Sequence, residues 1–397
     1  MPEDSADAAF PSAAPPDSAE PSTAPRRYLS IDILRALAIL SMIEVHAVDH
    51  FSEDIAYPEY LFNWAELFGH MSAPLFALLS GLSYALWLES QKRAARDTED
   101  IVKYSLRRGM FVFVLGFAVN VLIWLPPQAF DWDILALIGV AAMILAAVRN
   151  WHPGVLIAIS VVILLVSSPL RDLINYDSYW QEGELDYDKN LPNVILSFIL
   201  AGYFPLLPWL IYPLIGFVVG QTYYRADKQA SLPFSLLLIG ILMFAVAVAG
   251  AMLESEVPAW VARHFATGWP TGFYPTTTVF ILGSLGGTFI CLWLLNRLVD
   301  LNPRVTGTGP ILMFFRRYSY FALTAYVVHL AVQLWPLWIL AWWQGKTPTT
   351  IYLARFMNVD TALWTALALI IVLYLCFIVL DRHKKYSLEH FMRWIST

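Results

Sequence analysis

The sequence has few charged residues and almost no cysteine. Asp, Glu, Lys and Arg make up 14% of its 397 residues, whereas they make up about 25% of a typical soluble domain. The two cysteines, Cys291 and Cys376, lie inside apolar stretches, so they indicate no disulfide framework and we expect small buried hydrophobic residues. The net charge of −6 is scattered. Because a nucleic-acid partner requires a basic stripe, we expect none.

Hydrophobic residues make up 58% of the chain and are concentrated in long runs. Each run approaches the roughly 20 residues that a helix needs to cross a hydrocarbon layer of about 30 Å. A transmembrane barrel would instead show alternating apolar and polar residues. We therefore predict an all-α polytopic membrane protein, a bundle of about ten transmembrane helices, near residues 29–48, 72–89, 109–125, 133–148, 154–169, 205–222, 231–252, 276–295, 319–342 and 361–380.

The two ends of the chain differ from this middle part. Residues 1–27 are rich in Pro, Ala and Ser, which predicts a disordered tail. This tail lacks the basic start and apolar core of a cleaved signal peptide. We assign residues 28–381 to the membrane domain. In residues 382–397, apolar residues recur at helical spacing among basic ones, which predicts a short helix in the membrane interface.

The distribution of basic residues predicts the orientation. Ten spans place both termini on one side, and if that side is cytoplasmic, 19 Lys and Arg lie in cytoplasmic segments and five on the opposite side. Together with Arg35 inside the membrane, these account for all 25. The positive-inside rule then predicts cytoplasmic termini, and we expect a bacterial cytoplasmic membrane. The acidic, aromatic segment 170–204 would lie outside, where it covers an opening or forms a solvated loop.

The first predicted helix carries ionisable residues on one face. Arg35 and His46 are eleven positions apart, which is almost three helical turns and a rise of about 16 Å. Asp32 lies near the same face as an ion-pair partner or helix stabiliser, and Asp49 and His50 follow His46 within one turn. Intramembrane ionisable groups usually face cavities or pathways. The alternative is that Arg35 snorkels to the interface and His46 bonds a neighbouring helix.

Several segments resemble known membrane acyltransferases. An Arg, ten residues and a His in the first helix resemble acyltransferase family three, and "SAPLFALLSGLSYAL" and "YSLRRGMFVFVLGF" are similar to its second and third helices. The segment "YFPLLPWLIYPLIGFVVG" resembles bacterial relatives of heparan-alpha-glucosaminide N-acetyltransferase. Late segments, "RRYSYFALTAYVVHL" and "YSLEHFMRWI", resemble related membrane families. Together they resemble the transmembrane acyltransferase superfamily.

This resemblance implies transfer of an acyl group, usually acetyl, from cytoplasmic acyl-CoA through the bundle. The acceptor would be a hydroxyl or amine of a carbohydrate or glycolipid on the far side. The motif of family three falls directly on Arg35 and His46. The lysosomal N-acetyltransferase branch has Asn in place of His46 and its key His in the following loop. Residues 51–69 contain no His, so His70 is the nearest candidate.

The residue chemistry suggests roles within such a reaction. His46 is the candidate general base, because imidazole exchanges protons near neutral pH. Asp49 would hold the tautomer of this imidazole, with His50 as its competitor. Arg35, Arg107 and Arg108 would bind the phosphates of the donor. Arg107 and Arg108 also fit as ordinary positive-inside anchors.

Other residues are candidates for lining a pore. Tyr326 and His329 resemble a Tyr-x-x-His pattern of family three, and Asp32 and His70 are further candidates. His329 bonded to a neighbouring carbonyl is the alternative. Ser80 lacks a nucleophile elbow, which favours close helix packing by Ser and Gly. No His, Cys or acidic residues have metal-ligand spacing, which predicts no catalytic metal.

A second class of function fits the same intramembrane residues. A transporter or flippase would use the Arg and His stripe to carry protons or to bind solute. Binding of acyl-CoA separates the two hypotheses, since only the acyltransferase requires it.

Overall fold

The computed structural model describes residues 27–52, 59–181, 184–224, 231–252, 273–305, 308–345, 357–383 and 386–396. Side chains are described throughout these ranges except at residues 59–68 and 126. The predicted N-terminal tail therefore lies outside the described residues, apart from Arg27. The described helices are α1 Leu29–Phe51, α2 Glu59–Arg93, α3 Thr98–Val119, α4 Ile134–Val148, α5 Pro153–Leu173, α6 Leu191–Leu196, α7 Leu206–Trp209, α8 Ile211–Tyr223, α9 Phe234–Met252, α10 Thr278–Leu295, α11 Pro310–Tyr320, α12 Ala322–Trp343, α13 Val359–Arg382 and α14 Leu388–Ser396.

Short irregular elements continue or connect these helices. π-helical turns extend α3 over Asn120–Trp124, α6 over Ser197–Ala201 and α10 over Asn296–Asp300. In the segment between α5 and α6, strands β1 Trp180–Gln181 and β2 Glu184–Leu185 pair antiparallel, with Trp180 opposite Leu185. These strands contain the only sheet within the described ranges.

Eight stretches of the described chain are long and apolar enough to cross a membrane. They contain α2, α3, α5, α6 to α8, α9, α10, α12 and α13. Helix α4 is also apolar but has 15 residues, and α1 has 23 residues but carries the ionisable stripe. These ten units coincide with the ten apolar runs of the sequence. The prediction of an all-α polytopic membrane protein is confirmed.

Helix α1 lies inside the bundle, where it packs against α2, α11, α12 and α13. Most of its apolar side chains are buried, with Ile39 and Ile43 at 0% exposure. The polar groups of this helix must therefore find partners or cavities within the protein, since hydrocarbon offers neither water nor hydrogen bonds. This position brings Arg35 and His46 to the interior.

Close packing of α2 against α8 depends on glycine. A Cβ atom at Gly81 would lie 1.9 Å from the carbonyl oxygen of Pro213, and one at Gly216 would lie 2.0 Å from that of Leu78. Small residues allow membrane helices to approach until dispersion contacts hold them together. The close helix packing predicted for the Ser-Gly stretch around Ser80 is therefore present, and it holds α2 firmly beside the interior cavities.

The prediction that both cysteines are buried was wrong. Cys291 on α10 and Cys376 on α13 are exposed on the surface of the bundle. The physical reason is that a membrane helix turns apolar side chains toward lipid as readily as toward its neighbours. Apolar sequence context therefore does not distinguish a lipid-facing position from a core position.

The helix predicted in the C-terminal segment is present as α14. Its Met392 is 7% exposed, and the ring of Phe391 contacts that of Phe111 at 5.7 Å between centroids. Glu389 accepts hydrogen bonds from the backbone nitrogen of Thr324 at 2.8 Å and from its hydroxyl at 2.7 Å. These contacts fasten α14 across the ends of α3 and α12.

Candidate active site

Three histidine rings lie close together and nearly parallel in the interior of the bundle. His46 and His50, one turn apart on α1, have centroids 5.5 Å apart, and the ring of His329 on α12 lies 5.2 Å from that of His46. Both pairs are nearly parallel, with interplanar angles of 8° and 9°. His329 is 0% exposed and His50 is 7% exposed. Residues separated by 283 positions thus meet at His46.

The hydrogen bonds of this cluster assign the tautomers of the neutral rings. His329 Nδ1 lies 2.9 Å from the carbonyl oxygen of Ala325, which can only accept, so this nitrogen carries the hydrogen. His329 Nε2 is then an acceptor, and it lies 2.9 Å from Nδ1 of His46. His46 Nδ1 therefore donates. The remaining nitrogen of His46, Nε2, keeps its lone pair.

His46 lines a cavity of about 420 Å³, which we call the histidine cavity. Its polar lining comes from α1, α2, α12, the turn after α3 and the connecting segments before α4, α6, α7 and α10. Aromatic side chains form much of the remainder. The ionisable and aromatic lining residues are His46, Asp49, His50, His70, Trp124, Asp131, Asp133, Glu184, Tyr203, Phe204, Phe273, Tyr274 and Tyr326.

Helix α4 presents a carboxylate to the histidine cavity through its N-terminal cap. Asp133 accepts a hydrogen bond from the backbone nitrogen of Leu135 at 2.7 Å, which is the usual role of Asp before a helix. Its other oxygen accepts a hydrogen bond from the hydroxyl of Tyr326. The cap thus fixes the position of Asp133, and Asp133 in turn fixes the phenol of Tyr326.

A second carboxylate, Asp131, lies in the loop before α4. Burial raises its pKa to about 6, although Lys189, 3.4 Å away, acts in the opposite direction. A third, Glu184, accepts a hydrogen bond from the hydroxyl of Tyr203 at 2.9 Å. Glu184 and Tyr203 belong to the acidic segment 170–204, so this segment borders the cavity. Such contact is expected if the segment covers an opening and is not expected of a solvated loop.

A second cavity, of about 280 Å³, surrounds Arg35 and is called here the arginine pocket. Arg35 donates to Ser319 at 2.7 Å and to Ser83 at 2.5 Å. Asp32 lies 3.7 Å from the same guanidinium and accepts a hydrogen bond from Ser319 at 2.6 Å. Arg108 also lines this pocket. Two guanidinium groups therefore share one cavity, and the predicted ion pair of Arg35 with Asp32 is present.

The two cavities lie end to end along the same helices. On α2, Ala73 lines the histidine cavity and Phe76, one turn later, lines the arginine pocket. On α12, Tyr326 lines the histidine cavity and Leu323 lines the arginine pocket. On α4, Ile134 lines the histidine cavity and Leu135 lines the arginine pocket. On these three helices the lining residues of the two cavities are one turn apart or less, so the partition is thin there, whereas on α1 Arg35 and Met42 are seven positions apart. Arg35 and His46 are on opposite sides of it.

The structure places the predicted residues in different positions. His46, Asp49, His50, His70 and Tyr326 line the histidine cavity, and Arg35 and Arg108 line the arginine pocket. The other predicted residues are not among the lining residues of either cavity. Arg107 is exposed and outside the pocket, where its position fits an interface anchor. Asp32 and His329 are buried behind Arg35 and His46 and line neither cavity.

His46 has a ring partner that the sequence did not indicate. Its Nδ1 donates a hydrogen bond to Nε2 of His329, and Asp49, the predicted partner, is exposed in the histidine cavity. The His329 alternatives were a pore-lining residue or a residue bonded to a carbonyl. The second is present, and the same ring also contacts His46.

Comparison of the sequence with known families matches part of the chain to one catalytic domain. The family described as heparan-alpha-glucosaminide N-acetyltransferase, catalytic, matches residues 27–252, more than half of the chain. The chain belongs to this family. No curated protein matches this chain.

Because its catalytic domain belongs to the N-acetyltransferase family, the chain is a membrane acetyltransferase. The matched residues include α1 to α9 and therefore Arg35, Arg108, His46 and most of the cavity lining. His329, Tyr326 and Ser319 lie beyond the match, on α11 and α12. His329 and Ser319 thus contact the two central α1 residues from outside the matched part of the chain, whereas Ser83 and Asp32, the other partners of Arg35, lie within it.

Sequence reasoning missed several residues of the histidine cavity. Asp131 and Asp133 occur in the short motif Asp-Trp-Asp before an apolar run, which is a recognisable helix-start signal. That signal indicates a cap and carries no information about a cavity. Glu184 and Tyr203 were included in a segment predicted to lie over an opening, but nothing in the sequence singled them out.

Proposed function

We propose that this acetyltransferase uses acetyl-CoA, with its phosphates in the arginine pocket, and acetylates a carbohydrate hydroxyl or amine in the histidine cavity. His46 is the general base. The observation that carries the proposal is the end-to-end arrangement of the two cavities, with Arg35 in one and His46 in the other on the same helix. Eleven positions on α1 separate them, a rise of about 16 Å. An extended pantetheine arm is of a suitable length for this distance.

Donor binding follows from the charge of the arginine pocket. Guanidinium groups form paired, charge-assisted hydrogen bonds with phosphate oxygens. Arg35 is held by two serine hydroxyls and by Asp32, so it is already ordered before a ligand binds. Glu389 also lines the pocket, but its carboxylate accepts two hydrogen bonds from Thr324. The excess of Lys and Arg on one side supports a cytoplasmic arginine pocket.

The chemical step requires a base at the acceptor. His46 Nε2 removes the proton of the acceptor hydroxyl or amine, and the oxygen or nitrogen lone pair attacks the carbonyl carbon of the thioester. The new C–O or C–N bond forms as the C–S bond breaks. The departing CoA thiolate takes the proton from the His46 imidazolium. The neutral base is restored, and the products are CoA and the acetylated acceptor.

His329 positions this base in our proposal. Its hydrogen bond with His46 Nδ1 leaves Nε2 as the unprotonated nitrogen and restrains the plane of the ring. His329 is itself fixed by the carbonyl of Ala325. This chain of two bonds resembles the carboxylate–imidazole arrangement of triads in its function, with a second imidazole and a carbonyl in place of the carboxylate.

The test is His46→Asn in the purified full-length protein. Asparagine keeps a polar side chain that can hydrogen-bond His329, so we expect unchanged folding and acetyl-CoA binding. Transfer of radiolabelled acetyl to sugar acceptors should fall about 100-fold or more, because general-base catalysis is lost. Transfer at a near wild-type rate with acetyl-CoA still bound would place the base elsewhere, and His70 is the next residue to substitute.

The transporter hypothesis remains the second candidate. Two cavities separated by a thin partition also suit a protein that moves solute between sides. The same preparation distinguishes the two functions, since a transporter has no reason to bind acetyl-CoA or to release free CoA. Stabilisation by CoA in a thermal-shift measurement supports the transferase.

A further inference from the structure

The lining of the histidine cavity is rich in hydrogen-bond acceptors. Asp49, Asp131, Asp133 and Glu184 contribute carboxylates, and carboxylates accept hydrogen bonds only. Nε2 of His46 is also an acceptor in the tautomer that its bond with His329 assigns. Among the described lining residues there is no Lys or Arg.

Several hydrogen-bond donors of the same lining are used within the protein. The hydroxyls of Tyr326 and Tyr203 donate to Asp133 and Glu184. The hydroxyl of Ser52 donates to the carbonyl of Val48 at 2.6 Å, and the amide of Asn120 donates to a neighbouring backbone carbonyl at 3.4 Å. A ligand in this cavity therefore meets four carboxylates and no Lys or Arg side chain among the described lining residues.

His50 is an independent sign that a ligand completes the cavity. It is 7% exposed, it lines the cavity, and its Nδ1 has no hydrogen-bond partner among the described residues. A buried polar atom without a partner costs free energy, so such atoms in native proteins usually await water or a ligand. The aromatic rings of Trp124 and Tyr274 add flat apolar surface of the kind that binds the faces of small ligands.

We propose that the histidine cavity selects an acceptor sugar that is uncharged or amine-bearing and excludes sugars with phosphate, sulfate or carboxylate on the reacting ring. This proposal rests on the proposed acetyl transfer and specifies its acceptor. Hydroxyl and ammonium groups donate to the carboxylates, whereas an anionic substituent finds like charge and no free cation among the described lining residues. Lys189 contacts the lining residue Asp131, and it also donates a hydrogen bond to the carbonyl of Pro127.

Matched pairs of acceptors test the proposal in the purified full-length protein. Methyl glucoside and methyl glucuronide differ only in a hydroxymethyl group against a carboxylate, and galactose and mannose glycosides provide equivalent pairs. Binding is measured by tryptophan fluorescence, and transfer by radiolabelled acetyl-CoA. We expect at least tenfold higher affinity and kcat/KM for the neutral member of a pair.

Glu184→Gln and Asp131→Asn should each reduce the preference for the neutral over the anionic sugar, in affinity and in kcat/KM, at least threefold. Each amide keeps an oxygen acceptor while the charge is removed. Glu89→Gln is the control, because Glu89 is a carboxylate that pairs with Arg93 on α2 outside both cavities. Unchanged selectivity in both cavity variants would overturn the proposal, as would equal use of the neutral and anionic members.

The two readouts separate this proposal from the function on which it rests. Preferential binding of neutral sugars without any acetyl transfer would overturn the acetyltransferase mechanism and support the selectivity of the cavity. Transfer to both members of a pair at equal rates would support the mechanism and overturn the selectivity. Failure of every sugar to bind or to react would overturn both.

Discussion

Removal of the His329 side chain should slow catalysis through its effect on His46 alone. His329→Ala deletes the acceptor for His46 Nδ1, so the ring loses its fixed tautomer and its orientation. A neutral hydrogen bond contributes about 0.5–1.5 kcal/mol, and each 1.36 kcal/mol corresponds to about tenfold in rate. We therefore expect kcat to fall about 3- to 10-fold, with the KM for acetyl-CoA unchanged, because His329 does not line the arginine pocket.

Two further variants distinguish positioning from a general loss of structure. In His329→Gln, the side-chain oxygen can still accept from His46, so this variant should recover most of the activity. In a protein that already carries His46→Asn, His329→Ala should have little further effect on transfer, since residues that act as one unit are not additive. Circular dichroism and thermal unfolding in detergent confirm that each variant is folded.

Either of two results would refute the proposal that His329 positions His46. If His329→Gln is folded and is as slow as His329→Ala, the hydrogen bond to His46 is not what supports catalysis. A full additional loss of activity from His329→Ala in the His46→Asn protein would show that His329 acts independently of His46.

Two further predictions concern the donor and the orientation. Arg108→Ala should weaken acetyl-CoA binding about 10- to 100-fold through loss of a charge-assisted contact, whereas the matched control Arg107→Ala, an exposed neighbour, should bind normally in calorimetry. Equal effects would place the phosphates elsewhere. With both native cysteines replaced, a cysteine at Ala95 should react only with reagents on the cytoplasmic side and one at Ser178 only from outside. The reverse pattern would place the arginine pocket on the outer side.

Helix α1 illustrates how far the sequence leads at the site. The spacing of Arg35 and His46 is a local property of one helix, so their common face was predictable from 3.6 residues per turn. The ion pair of Arg35 with Asp32 has the same local origin. In contrast, the sequence offered Asp49 and His50 beside His46 and did not indicate the contact of His46 with His329, which depends on how α12 packs against α1.

The adjacent arginines on α3 show the same limit. Arg107 and Arg108 have identical chemistry and neighbouring positions, so the sequence offers no reason to assign the donor pocket to one of them. A helix rotates by about 100° from one residue to the next. That rotation turns Arg108 toward the pocket and leaves Arg107 exposed, and only the packing of α3 against α2, α4 and α14 decides which.

The sequence by itself determined that this chain is a helical membrane protein with about ten spans and an ionisable face on its first helix. These properties follow from composition and from local periodicity, which the bilayer makes strict because every backbone group must bond within its own segment. The tertiary structure alone decided that His329 pairs with His46, that Asp131, Asp133 and Glu184 surround one cavity, and that a thin partition separates it from Arg35. Such contacts join residues as much as 283 positions apart. They depend on side-chain packing between helices, which local sequence patterns do not encode.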